Sequence, residues 1–281
     1  MGEPILACAR QCYATGILPD FLRRGALRLI PKPDKDKRES KNWRPLILQE
    51  ALYKLLSGAL ANRLNKALDI LVHKSQTGFI RGRSMCDNVR IVHNIVELCK
   101  EFGNKGILVS CDLEKAFDSI SFRFIRKVLR FFGFGFGFTK WVEILLNGFQ
   151  VEIINSGYIL APFMQERAVR QGDPASTGLF ILGMEILLIR IRSNSAIKKL
   201  HIENINVGTS GYADDVNILL KYDRQSLIEL KKDLNNFYSI SGLKTNLNKT
   251  SCMFFGRPEG QENLIEPFQN TGFDWTNELS F

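Results

Sequence analysis

The stretch GYADDVNILL, residues 211–220, sets two vicinal carboxylates, Asp214 and Asp215, inside a segment that otherwise reads as an apolar strand. Adjacent like charges repel and weaken a strand, so they stand either where water solvates them or where a cation neutralises them. Aspartate tolerates turn geometry, and a solvated hairpin bend satisfies the first alternative. A third carboxylate, Asp112, closes another apolar strand, GILVSCD at 106–112. If the two strands are neighbours in one sheet, three carboxylates converge, each raising the others' pKa unless cations are present. Hard divalent ions with oxygen ligands are the usual remedy. Two Mg²⁺ ions held ~4 Å apart by such groups support in-line phosphoryl transfer, one activating a 3′-hydroxyl and the other stabilising a leaving pyrophosphate. That chemistry suits a nucleotide polymerase, and a nuclease uses the same ions.

The elements that must position these groups follow from periodicity. Leu52, Leu55, Leu56, Ala59, Leu60, Leu64, Ala67, Leu68 and Leu71 recur at helical spacing and predict an amphipathic helix over about 49–72 with that stripe in the core. A second helix is expected over 87–102, with Val89, Val92, Val96 and Cys99 on one face. The helix SFRFIRKVLRFF has Asp118 or Ser119 placed to cap its start. Residues 151–154 and 158–163 read as a hairpin around Asn155, Ser156 and Gly157. The nearly all-apolar helix 176–192 has no polar face and must be buried. Residues 207–220 form a hairpin bent at Asp214 and Asp215, and Asp223 and Gly242 bound a final helix. Strands and helices that do not alternate strictly predict an α+β fold, antiparallel strands backed by helices.

The charge-dense stretch RLIPKPDKDKRESKNWRPL, from Arg28 to Leu46, contains prolines that forbid a continuous helix. It reads as two short strands joined by a basic loop able to close over an anion. A formal charge of +9 and a pI near 9.3 point the same way, to a polyanionic partner with nucleic acid first. With 281 residues and 45% apolar content the chain makes one large domain or two closely joined subdomains. No basic-then-apolar leader opens it, and the longest apolar run, Leu179 to Ile189, is too short to span a bilayer and carries Glu185. An intracellular protein of the nucleus or cytoplasm, neither secreted nor bound to a membrane, is expected. Six cysteines at 8, 12, 86, 99, 111 and 252 form no CxxC pair and read as reduced thiols.

Six ordered blocks resemble the reverse transcriptases of non-LTR, LINE-type retrotransposons. They are LIPKPDKDKRESKNWRPLILQEALYKLLSGALANRL, SQTGFIRGRSMCDNV, VSCDLEKAFDSISFRFI, VRQGDP, YADD and SGLKTNLNKTSCMFFG, in that family's order and approximate spacing. The resemblance implies a right-hand polymerase with fingers and palm, an antiparallel palm sheet and no thumb. It places a fingers-type region at 1–105, a mainly palm region at 106–281, and the chain's end before the primer grip. The implied activity is RNA-directed DNA synthesis on an RNA template and a DNA primer, using dNTPs and two Mg²⁺ or Mn²⁺ ions. An inactive retrotransposon fragment or a maturase-like nucleic-acid-binding remnant is the alternative.

By the same resemblance Asp112, Asp214 and Asp215 are the metal-binding catalytic carboxylates. Phe117 is the ring that clashes with a ribose 2′-hydroxyl. Arg44 and Lys32 hold the triphosphate, Gln171 and Gly172 line the nucleotide pocket, and Lys249 is a proton donor near the pyrophosphate. Asp118 is assigned to capping rather than catalysis. The chain departs from the family pattern at Ala168, Ala175, Thr177 and Gly178, positions commonly Gly, Leu, Pro and Leu.

Overall fold

The computed structural model describes residues 2–155, 157–202, 205–256 and 273–275. In chain order the elements are α1 (Gly2–Thr15), β1 (Arg24–Pro31), β2 (Trp43–Gln49), α2 (Ala51–Leu71), α3 (Met85–Glu101) and β3 (Gly106–Cys111). Next come α4 (Ala116–Ser119), α5 (Phe122–Phe131), α6 (Phe136–Leu146), β4 (Gln150–Asn155), β5 (Tyr158–Ile159), β6 (Phe163–Met164) and α7 (Ser176–Ser193). The last are β7 (Leu200–Ile202), β8 (Ile205–Val207), β9 (Thr209–Tyr212), β10 (Asp215–Lys221), α8 (Arg224–Ser241), β11 (Ser251–Phe255) and β12 (Asp274–Trp275). The chain divides into two compact units, Met1–Leu68 with Ile120–Phe180, and Asp69–Ser119 with Ile181–Phe281.

In the first unit the basic stretch is a hairpin, β1 pairing antiparallel with β2 from Gly25↔Gln49 to Pro31↔Trp43. Its loop is closed by Lys32 N donating to Asn42 O at 2.8 Å and by the Trp43 indole donating to Lys37 O at 2.9 Å. β4 joins β1 in parallel, giving the order β2-β1-β4-β5 with β6 also on β4. Ile47, Phe149 and Val151 are buried on one side of this sheet, and Gly25 is needed there, because a Cβ would lie 2.7 Å from Ile47 and 2.8 Å from Phe149. The expected second hairpin is present but broken: Tyr158–Ile159 and Phe163–Met164 are separate short strands, interrupted at Pro162, which has no N–H to donate. Ser156, at the centre of the expected turn, lies outside the described residues.

A buried polar network sits under α2. The Arg170 guanidinium, 1% exposed, donates to the Tyr53 hydroxyl at 2.6 Å, to Leu145 O at 3.0 Å, to Leu146 O at 3.2 Å and to Gln165 Oε1 at 2.6 Å. Its plane lies 3.7 Å from the Phe149 ring centre. Leu145 and Leu146 end α6, so the cation meets the negative end of that helix. Asp173 receives the Ser57 hydroxyl and Ala175 N, and Tyr53 Oη stands 3.3 Å from its Oδ2. Burial lowers the Arg170 pKa and raises that of Tyr53, while the neighbouring Asp173 opposes the first shift and adds to the second. Charges are tolerated at this depth only when each is hydrogen-bonded, which this network achieves. It also corrects the predicted face of α2. In the first turns Tyr53 and Ser57 are buried while Leu55 and Ala59 are exposed, and the stripe faces inward only from Leu60.

In the second unit the sheet order is β12-β11-β3-β10-β9. β3 is central and apolar, pairing antiparallel with β10 from Cys111↔Val216 to Gly106↔Lys221. α3 covers it with Val92, Ile95, Val96 and Cys99 against Leu108, Leu219, Met253 and Phe255. α8 begins at Asp223, whose carboxylate accepts from Ser226 N at 2.8 Å, and ends at Gly242 in the left-handed region. In the first unit α5 is capped by Ser121, which accepts from Phe124 N at 3.1 Å, and not by Asp118 or Ser119. Those two residues are still helical in α4, where the Ser119 hydroxyl donates to Lys115 O at 3.0 Å, whereas Ser121 has the extended backbone a cap requires.

Ala168 is buried with φ +87°, a conformation that side chains other than glycine rarely adopt. Ala168→Gly is expected to stabilise the chain by about 0.5–1 kcal/mol, the relief of left-handed strain exceeding the entropy a glycine adds to the unfolded state. A shift of the urea midpoint at unchanged slope measures it. A lower midpoint would show that the alanine methyl contributes more than the strain costs.

Candidate active site

β9 and β10 pair at Tyr212↔Asp215, so Ala213 and Asp214 form a two-residue turn. Ala213 takes φ +57°, where an alanine costs about 1 kcal/mol. Because Val216 faces Cys111 across β10 and β3, the turn carrying Asp214 and Asp215 lies beside Asp112 at the end of β3. The predicted convergence of the two strand ends is therefore present. Asp112 and Asp214 are half-buried and Asp215 is exposed.

Asp112 is held from the loop after α8. Asn246 N donates to Asp112 O at 2.9 Å, and the Asn246 amide donates to Asp112 Oδ1 at 3.3 Å. Lys249 Nζ stands 3.5 Å from Asp112 Oδ2. Burial, together with the Asp112 carboxylate, holds Asp214 above the usual carboxylate range, opposed by a backbone hydrogen bond and by Lys249. Asp215, though exposed as a residue, has a carboxyl partly screened from water by the sheet end; that desolvation and both neighbouring carboxylates raise it, and Lys249 again opposes the shift. The carboxylates thus favour positive charge nearby, and the Lys249 ammonium already supplies some. Among the described residues no three His, Cys, Asp or Glu side chains are gathered closely enough to hold a metal by themselves. The donor set is nonetheless oxygen-only and anionic, which fits hard divalent cations.

Phe117 is half-buried, edge-on to Phe79 with ring centres 6.2 Å apart, and Phe79 in turn lies 6.3 Å from Tyr212. This row of rings joins Phe117 to the strand that precedes the carboxylates. A cleft of about 210 Å³ opens on the α3 side, lined among others by Asn88, Ser110, Asp112, Tyr212, Asp215 and Asn217.

The remaining predicted residues belong to the first unit. Arg44 is exposed on β2, opposite Ile30. Lys32 donates to Lys41 O at 3.0 Å, within its own hairpin. Gln171 is half-buried and Gly172 exposed, and Gly172 lies against Leu46 and Ile47, which brings the QGDP loop to the strand that carries Arg44. At Gly172 a Cβ would meet only ordinary contacts, so φ +98° is what calls for glycine. Sequence reasoning missed Asn246, Tyr53, Ser57 and, in RQGDP, the residues that flank Gln171 and Gly172, Arg170 and Asp173. All five lie inside quoted blocks, but nothing local singles any of them out.

Residues 30–278 match the family described as reverse transcriptase (RNA-dependent DNA polymerase). The chain is 30% identical over 246 residues to the transposon TX1 uncharacterized 149 kDa protein of Xenopus laevis, covering 88% of this chain and 19% of that protein. It is 31% identical over 252 residues to the retrovirus-related Pol polyprotein from type-2 retrotransposable element R2DM of Drosophila melanogaster, covering 89% of this chain and 23% of that one. It thus spans about a fifth of the length of these relatives. Among solved structures it is similar to a telomerase from Candida albicans, with a TM-score of 0.60 over 93% of this chain and 46% of that one, at 13% identity. The mixed α+β architecture is accordingly that of a polymerase fold.

A carboxylate whose folded pKa lies above its unfolded value destabilises the fold where it is charged, and the penalty disappears below the unfolded value. In EDTA at neutral pH, Asp214→Asn is therefore expected to be more stable than the parent. The difference should close as the pH falls through the raised folded pKa toward the ordinary value of about 3.9. Urea midpoints across that range measure it. A parent more stable than the variant at neutral pH in EDTA would contradict the repulsive cluster.

Proposed function

The chain belongs to the reverse transcriptase (RNA-dependent DNA polymerase) family, and on that premise we propose that it is the RNA-directed DNA polymerase domain of a non-LTR, LINE-type retrotransposon protein. The observation that carries the proposal is the β3–β10 register, which sets Asp112 beside Asp214 and Asp215. In this reading residues 1–105 are chiefly fingers and 106–281 chiefly palm. The substrates are an RNA template, a DNA primer and dNTPs, in keeping with the basic charge of +9. Among the described residues no helix is long and apolar enough to cross a membrane.

Asp112, Asp214 and Asp215 are the residues that hold divalent ions. Two Mg²⁺ or Mn²⁺ ions bound there supply charge stabilisation for an in-line displacement at the incoming nucleotide's α-phosphate. Asn246 fixes Asp112 by its backbone and side chain, so that this carboxylate keeps one orientation. Lys249, 3.5 Å from Asp112, offsets the cluster's charge and is the candidate proton donor to the departing pyrophosphate. Arg44 and Lys32 take the triphosphate, the Arg44 fork being the better match to paired phosphate oxygens. Gln171 and Gly172 line the nucleotide pocket, and the buried Arg170–Tyr53–Asp173 network fixes the loop that carries them. Phe117, braced by Phe79, is the wall against a 2′-hydroxyl.

Primer extension on poly(rA)/oligo(dT) tests the activity. Dependence on Mg²⁺, abolition by EDTA and loss of extension in Asp112→Asn are expected, with circular dichroism showing the variant folded. Extension by Asp112→Asn at the parent's rate would refute the assignment. For the sugar wall, Phe117→Val should raise ribonucleotide use relative to dNTP use on the order of 10- to 200-fold, the range a single steric contact discriminates. Equal selectivity in parent and variant would place the wall elsewhere.

A further inference from the structure

Gln76 is fully buried and lies 137 residues before the turn it touches. Its Oε1 accepts from Ala213 N at 3.0 Å and from Gly78 N at 2.9 Å, and its Nε2 donates to Ala213 O at 3.2 Å. Both polar backbone groups of one residue are thereby bonded by one side-chain amide. The two N–H donors and the one carbonyl fix which end of the amide is oxygen. The clamp has its own support. Gly211 N donates to Ser75 O at 2.7 Å and Thr77 N to Gly211 O at 2.9 Å, so the segment around Gln76 runs alongside β9. Arg83 donates to Gln76 O at 2.8 Å. At Gly78 an added Cβ would run into the backbone nitrogen of Ala213.

The clamped residue is the strained one. Two-residue hairpin turns that need a positive φ are normally made by Asn, Asp or Gly. Here an alanine occupies the left-handed position, directly before Asp214, and nothing in its own chemistry favours that state. Relaxing φ at Ala213 would turn the peptide that leads into Asp214 and Asp215, and in a hairpin the turn also sets the register of the strands that follow. We propose that Gln76 is a positioning residue of the polymerase site, whose amide holds Ala213 in its left-handed conformation and thereby aims Asp214 and Asp215 at the divalent ions. The proposal rests on the reading of those carboxylates as ion ligands. Glutamine suits the role because it carries acceptor and donor on one planar group of the required reach. Methionine has the length and neither function.

The test measures Mn²⁺ binding to the 281-residue chain by electron paramagnetic resonance without nucleic acid, alongside steady-state primer extension. Gln76→Met should weaken Mn²⁺ binding by about 10- to 100-fold, the range seen when a group that orients metal ligands is removed. kcat should fall comparably while the KM for dNTP stays within about twofold, since the clamp touches the carboxylate turn and not the dNTP-binding residues. In an Ala213→Gly background the loss should shrink to about threefold or less, because glycine accepts the conformation unaided. That background also keeps the comparison open should Gln76→Met alone not fold. Thr77→Val removes a buried hydroxyl that receives the Asn88 amide in the same segment and leaves the clamp intact, so its Mn²⁺ affinity should stay within about twofold of the parent. Equal Mn²⁺ affinity in parent and Gln76→Met, an undiminished loss in the Ala213→Gly background, or an equal loss in Thr77→Val overturns the clamp alone. A parent that binds no Mn²⁺ overturns the ion-ligand reading and the clamp with it.

Discussion

Mutual repulsion among Asp112, Asp214 and Asp215 is the constraint around which the second unit is organised. Antiparallel pairing of β3 with β10 brings the carboxylates together at one end of the sheet. Burial chiefly, and the neighbouring carboxylates in addition, raise the proton affinity of Asp214 and Asp215. A sheet that ends in such a cluster must be held by something else, and that is the apolar remainder of the same strands. Leu108, Leu219 and Met253 pack under α3, and Gly106 lets the Phe255 ring lie against the strand's backbone. Among the described residues Lys249 alone opposes the shifts of both Asp214 and Asp215, and it is mostly exposed. An exposed ammonium is screened by water and contributes little to stability. The cluster therefore persists because the strands cannot separate, and its unfavourable charge is what the proposed divalent ions would neutralise.

Two buried polar devices fix the loops that charge alone would leave loose. In the first unit Arg170 bonds the end of α6 and the Tyr53 hydroxyl, and Asp173 holds Ser57 and Ala175 N. Gln171 and Gly172 project between these two anchored residues. In the second unit the Gln76 amide does the same for the Ala213 turn. Both devices bind backbone groups with side chains that have no freedom to leave, since a buried partner left unsatisfied costs about 1–3 kcal/mol. The residues proposed for substrate contact are less enclosed than these anchors: Arg44 and Gly172 are exposed, Lys249 is two-thirds exposed, and Lys32, Phe117 and Gln171 are half-buried.

That contrast explains how much was legible in the sequence. Local patterns located α3, the β1–β2 and β9–β10 hairpins and both ends of α8, because strand alternation, turn residues and caps act over a few positions. The carboxylates stood out because charge inside an apolar strand is anomalous within one short window. The inward face of α2 was misread at Leu55 because Tyr53 and Ser57 are drawn inward by Asp173, 120 and 116 residues away. No periodicity encodes that. The α5 cap was displaced from Asp118 to Ser121 by an extra helical turn, α4, whose four residues are too few for a hydrophobic period. Gln76 and Asn246 carry no signal of their own, since each acts on backbone groups of a distant segment.

The placement of strain follows the same division. Positive φ at a residue other than glycine occurs among the described residues at Asp34, Phe79, Lys115, Ala168 and Ala213. Three of these adjoin groups assigned to the reaction: Phe79 braces Phe117, Lys115 opens the short helix that carries Phe117, and Ala213 precedes Asp214. A glycine at any of them would remove the strain, but it would also remove the restriction that holds one backbone state. A side chain forced into the left-handed region by its surroundings has few other states available, so the direction of the next residue is narrowly set. Strain of about 1 kcal/mol at each position is small beside the stabilisation from the apolar strands. It is concentrated where a rotation of one peptide would redirect Asp214 or Phe117, the residues proposed as ion ligand and sugar wall, so the chain gives up a little stability at positions whose direction that reading depends on.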